Sequence, residues 1–142
     1  ISIIVIAFTA ILGLASFSLR MSISLKETTQ AENFAIEAIE AVRNFRDGTI
    51  WNNGLGALTA VISYYPQKTT DSPPKWQMVQ GEEIISGFFT RKAVFFNVQR
   101  DANDNIVESG GTNDPNTKKV IVDVLWKNKK VEIVTYLTNW KQ

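Results

Sequence analysis

The sequence contains no cysteine and no histidine. The first absence excludes disulfides and thiolate nucleophiles. The second removes a usual zinc ligand and the general base of serine–histidine catalysis. No glycine-rich phosphate loop is present, because the "GLG" at 54–56 lacks a third glycine and the pattern that should follow it. Glu82 and Glu83 are adjacent, which on a strand sends the two carboxylates to opposite faces. Charge is nearly balanced, with 15 Lys and Arg against 14 Asp and Glu and a net charge of +1. There is no run of like charge, so nucleic acid is not an expected partner. Asn-x-Ser/Thr sequons, internal repeats and low-complexity segments are also missing. The expectation is a protein that is not an enzyme, with no catalytic residues and no cofactor.

What is present begins at the first residue. "ISIIVIAFTAILGLASFSL" runs from Ile1 to Leu19, and the first charge is Arg20. At ~1.5 Å per residue such a helix spans about 28 Å, close to the ~30 Å hydrocarbon core of a bilayer. A signal peptide would carry a basic flank, a shorter apolar run and a small-residue cleavage site. A helix apolar on every side belongs in a membrane or a large core, and the remaining chain of about 120 residues is too small to supply that core. A membrane helix, or a helix buried in an apolar assembly, fits best.

The pattern then changes without breaking, since the first proline is Pro66. Ala31, Phe34, Ala35, Ala38, Val42 and Phe45 recur at three- and four-residue steps, making one apolar stripe. Glu32, Glu37, Glu40, Arg43 and Arg46 fall mostly off it. Glu40 and Arg43 are spaced to pair, the two arginines suit the negative pole of a helix, and Asp47-Gly48 supplies a stop. One helix over about 1–47 is therefore expected, with Gly13 in "GLAS" as the place to kink or unwind. Residues 1–24 would protrude and 25–142 would form the globular domain. In that domain a helix at 25–47 and a connector at 48–75 precede an antiparallel sheet at 76–140. The connector is too apolar for a free linker and is expected to hold a short helix near Leu55–Ile62.

From Trp76 onward the chain alternates. "WQMVQ" reads as a short strand. "GFFTRKAVFFNVQR" reads as a long central one, with Val94, Phe96 and Val98 on one face and Phe89, Ala93 and Phe95 on the other. "DANDN" is a turn, Ile106-Val107 starts a return, and "SGGTNDPNT" reads as a polar loop. Val120, Val122, Val124 and Trp126 share a face, as do Val131, Ile133, Thr135 and Leu137. "KNKK" between them is a tight turn without the usual glycine. The expected fold is α+β: a long N-terminal helix packed by its stripe on an antiparallel sheet of three to four strands.

This layout resembles the type IV pilin and pseudopilin superfamily. "ISIIVIAFTAILGLASFSL" is similar to the apolar helix that follows the prepilin cleavage site. "AENFAIEAIEAVRNFRDGTIW" resembles a run common in prepilin-like proteins, and "VTYLTNW" their closing strand. The likeness is specific over residues 1 to about 51 and near the C-terminus. Members carry a short basic leader ending in glycine, a methylated aromatic first residue and a glutamate soon after it. None of these falls within this sequence, so their roles are placed on no residue here, and they are expected to precede Ile1.

The resemblance implies a structural subunit of a type IV pilus-like extracellular filament, a homo-oligomeric helical polymer. Such a subunit sits in the cytoplasmic membrane before the pilus assembly machinery extracts it. Ile1, Ile4, Phe8, Ile11, Leu12, Gly13, Leu14 and Phe17 would then pack the filament core. The assembly is head-to-tail and open, giving a fibre rather than a ring. A minor pilin or secretion-type pseudopilin is the nearest alternative. A single-pass membrane-anchored binding domain that never polymerises is the other, and for it Arg20 and Lys26 after the apolar run would mark the cytoplasmic side.

Some pseudopilins hold calcium in a C-terminal loop. Asp101, Asn103, Asn105 and Glu108 have alternating oxygen ligands, but Ile106 stands where a calcium loop needs glycine and Thr112 where it needs glutamate. A polar turn accounts for the same residues. Trp51, Trp76, Trp126 and Trp140 read as core or inter-subunit packing before an adhesive surface. Lys127, Lys129 and Lys130 read as a solvated edge guard before an anion site. The serines and threonines of "KTTDSPP" and "SGGTNDPNT" are candidates for O-linked sugar.

Overall fold

The computed structural model describes residues 2–141; Ile1 lies outside the described residues. Helix α1 spans Ser2–Gly48. It stays α-helical through Gly13, without the local unwinding expected there as one of two outcomes. The helical penalty of one glycine is about 1 kcal/mol, and the strong helix formers around it, with no proline, outweigh that. Beyond α1, Trp51–Asn53 and Leu55–Ala57 form two single 3₁₀ turns in place of the expected short helix. Gly54 separates them at φ −116° and ψ −114°, outside the helical region. A Cβ on Gly56 would sit 2.6 Å from the Trp51 indole, so this corner needs glycine.

Seven strands follow: β1 Ser63–Lys68, β2 Trp76–Gln80, β3 Glu83–Ile85, β4 Phe89–Arg100, β5 Ile106–Val107, β6 Thr112–Trp126 and β7 Lys129–Thr138. All pairings are antiparallel and the main order is β2-β1-β4-β6-β7, with β3 and β5 paired to β4. The α+β class is as expected; the sheet is larger than the three or four strands expected. β1 lies inside the stretch read as connector. β6 begins inside the stretch read as a polar loop. Both are made by pairing with distant residues: Ser63 and Tyr64 meet Val94 and Ala93, and Thr112–Asp114 meet Val98–Arg100.

The inner face of the sheet packs on α1. Ala31, Ala35, Ala38 and Val42 are fully buried, and Phe34 and Phe45 pack at the margin. Small alanines let the helix approach the sheet closely, where Phe89, Ala93 and Phe95 of β4 and Val120, Val122, Val124 and Trp126 of β6 meet it. Phe89 stands edge-on to Phe34 with ring centroids 5.3 Å apart. The β6–β7 hairpin turns on Lys127 and Asn128, both at positive φ (43° and 60°), as a two-residue hairpin requires. Asn adopts that conformation readily, which explains the missing glycine.

Among the described residues, two charged ones are buried on this inner face. Arg91 is 3% exposed. Its guanidinium donates to Glu83 at 2.9 Å and 2.5 Å, to the Phe34 carbonyl at 3.0 Å and to Glu37 at 3.2 Å. It therefore ties β4 to both β3 and the helix. Arg91→Met should lower stability by about 2 kcal/mol, because Glu37 and Glu83 reach enough water to rehydrate. A urea midpoint that falls at constant slope would show it; an unchanged midpoint would mean the clamp is idle. Lys118 is also buried, with Nζ 2.7 Å from Asn97 Oδ1 and 3.3 Å from the Leu58 carbonyl. Burial pushes its pKa below the ordinary lysine value.

Between Asn97 and Val98 the β4–β6 register shifts, and Pro115, Asn116 and Thr117 bulge from the ladder. Asp114 holds the bulge. It accepts from Asn116 N at 2.9 Å, Thr117 Oγ1 at 2.6 Å and Arg100 Nε at 2.8 Å. Trp51 Nε1 donates to the Pro115 carbonyl at 2.8 Å. The Arg100 hydrogen bond, followed by that of Thr117, lowers the Asp114 carboxyl pKa below its ordinary value. The unfolded chain therefore binds that proton more tightly than the folded one. Stability from Asp114 is present above the ordinary carboxylate range and is lost as pH falls through the folded value. Asp114→Asn should cost about 1–2 kcal/mol at pH 7, with a gap to the parent that closes in acid. A gap independent of pH would contradict this.

Candidate assembly and membrane helix

Among the described residues, the N-terminal half of α1 has no buried side chain. Residues 2–23 are exposed, and an apolar window long enough to cross a membrane has none of its residues buried. Ser24 is the first partly buried residue and accepts a hydrogen bond from Lys129, and Ala31 is the first buried residue. Ile4 (73% exposed), Phe8, Ile11, Leu12, Leu14 and Phe17 (64%) project from different sides of the helix, and Gly13 has open space around it. Ile3, Val5, Ile6, Leu19, Met21, Ile23 and Leu25 are exposed as well. Leaving this much apolar surface in water is unfavourable at roughly 25 cal/mol per Å².

Trp140 and Lys141 tie the other end of the helix to the domain. Arg43 pairs with Glu40 one turn back. Asp47 accepts from Arg46 Nε at 2.8 Å and from Trp140 Nε1 at 2.9 Å, and its own carbonyl accepts from Lys141. Trp140 and Lys141 thus close over the end of α1. Those two side-chain hydrogen bonds, Arg46 first, lower the Asp47 carboxyl pKa.

In the 101–105 turn, Asp101 Oδ1 accepts from Asn103 N and Asn105 N, each at 2.9 Å, and Oδ2 accepts from Asn105 Nδ2 at 3.3 Å. These bonds, Asn105 N first, depress its pKa. The carboxylate is committed to its own turn. Glu108 is exposed, and among the described residues no group of three or more acidic side chains converges as a metal site. Trp51 and Trp126 are core; Trp76 lies under Lys68 Nζ at 5.3 Å; Trp140 is exposed. Lys127 pairs with Glu27 at 2.8 Å, Lys129 donates to Ser24 at 2.9 Å, and Lys130 pairs with Glu132 at 2.7 Å. Sequence reasoning overlooked Arg91 and Lys118. Both sit at inner-face positions, two residues from Ala93 and Val120 respectively, and that alternation was the available signal.

Comparison of the chain with protein-family models, with curated proteins and with solved structures finds no match. What the structure shows is an α+β chain with one long helix. Half of that helix is built into an antiparallel sheet domain, and half is long and apolar enough to cross a membrane. This architecture is compatible with a pilin-like fold.

Proposed function

We propose that this chain is a non-enzymatic structural subunit of a type IV pilin-like filament. The observation that carries the reading is the exposed half of α1, apolar on every side and continuous with the helix that anchors the domain core. Before assembly the bilayer would cover residues 2 to about 24. In the filament, copies of the same helix would replace the lipid, and the sheet domains would form the outside. A helix apolar all round suits both environments, whereas a helix serving one dimer contact would need a single stripe.

The competing reading is a monomeric membrane-anchored domain. Arg20 and Lys26, just past the apolar run, favour it when loop charge alone is weighed. Shearing producing cells and sedimenting the released material separates the two. The filament reading predicts the chain in a high-speed pellet that detergent at membrane-solubilising concentration leaves intact. Recovery solely as a detergent-soluble monomer would overturn it.

A further inference from the structure

We infer that the end of the domain around the emerging helix is a docking surface for anionic phospholipid headgroups, an inference that rests on the membrane reading of α1. Two turns converge on the helix where it leaves the domain. The β6–β7 hairpin places Lys127 Nζ 2.8 Å from Glu27 and Lys129 Nζ 2.9 Å from Ser24. The β3–β4 turn brings Phe88 beside it, with Lys127 Nζ 5.3 Å from the ring centroid. From Arg20 to Glu27 the helix rises about 10 Å. If the hydrocarbon ends near Leu19, both turns fall within or next to the headgroup layer, which is about 5–8 Å deep on each side.

Charge in this region has a positive excess. The stretches 20–31, 84–90 and 126–131 contain Arg20, Lys26, Lys127, Lys129 and Lys130 against Glu27, and Glu132 and Asp123 face Lys130 from outside them. Glu27 is taken by Lys127. Among the described residues, Arg20, Lys26 and Lys129 are exposed and form no ion pair, a state that Lys68 and Lys75 share elsewhere on the domain. Apolar groups accompany them: Ile23 and Phe88 border one cleft with Lys26. Cations mixed with an exposed aromatic ring and aliphatic side chains fit a surface that is anionic at the headgroups and apolar beneath.

The absence of cysteine permits single labels. The full chain is reconstituted into vesicles of phosphatidylcholine, with or without phosphatidylglycerol. A fluorophore is placed at Asn128→Cys on the hairpin tip, at Ser109→Cys at the far end of the sheet, or at Leu14→Cys in the helix. A headgroup-linked quencher reads contact. The inference predicts strong quenching at position 128, little at 109, and dependence on the anionic lipid. Lys26→Glu with Lys129→Glu should reduce docked over undocked population by about fivefold or more per cation. Both side chains are exposed and outside ion pairs, and a circular dichroism melt confirms the fold. Equal quenching at 128 and 109, or indifference to phosphatidylglycerol, with Leu14 reporting hydrocarbon, overturns the inference alone. A Leu14 label that stays in water overturns the membrane reading and this inference with it.

Discussion

Ile11→Asp should remove the protein from both membrane and filament while leaving its domain as stable as before. Ile11 lies near the middle of the apolar segment and is 63% exposed. A charge at the centre of a membrane helix costs about 2.5–3.5 kcal/mol on insertion scales, a factor on the order of 100 in partitioning. Within a bundle of helices an unpaired carboxylate is at least as unfavourable. Ala31, the first buried residue, is about 30 Å further along the helix, so the core does not feel the change. Fractionation and thermal melting of the same variant read the two halves separately. Ile11→Val is the control and should behave like the parent. An aspartate variant found in membranes and fibres at parental levels would mean that the exposed helix is not the assembly element.

Phe95→Ala should have the opposite signature, a large loss of stability with the helix surface unchanged. Phe95 is the largest fully buried side chain, midway along the central strand β4. Its ring meets Tyr64 edge-on at 5.8 Å, and its backbone is paired to Val120. Truncating a buried phenylalanine costs about 3–5 kcal/mol, since the rigid surroundings leave most of the cavity unfilled. For a domain near 120 residues that lowers the melting temperature by roughly 10–20 °C. A fall of only a few degrees would show that β4 is less central than its burial indicates. Membrane partitioning of the variant should match the parent, because residues 2–23 are unaffected.

The contrast between these variants mirrors what was legible in the sequence. The stripe from Ala31 to Val42 and the Val120–Trp126 alternation could be read because each signal is local. The inner and outer faces are set by step size alone. Strand β1 and the start of β6 were not legible, because Ser63–Lys68 carries Pro66, Thr112–Thr117 is polar, and each becomes a strand by pairing with other segments. Buried charge was missed for a related reason. Arg91 has the right parity for the inner face, but arginine is ordinarily exposed, and its partners Glu37 and Glu83 come from two other elements. At Gly13 a local propensity was overrated, since one glycine does not interrupt a 47-residue helix whose neighbours favour it. The Asp101–Asn105 stretch, where turn and calcium chemistry use the same residues, needed hydrogen-bond geometry to show how its carboxylate is engaged.

The most direct test is cryo-electron microscopy of filaments sheared from cells producing this protein. The expected fibres have a bundle of helices as their axis, with Ile4, Phe8, Ile11 and Phe17 packed between copies. The sheet domains lie outside, and α1 is continuous from the axis to Gly48. Filaments built from another protein, or fibres in which residues 2–23 lie away from the axis, would contradict it.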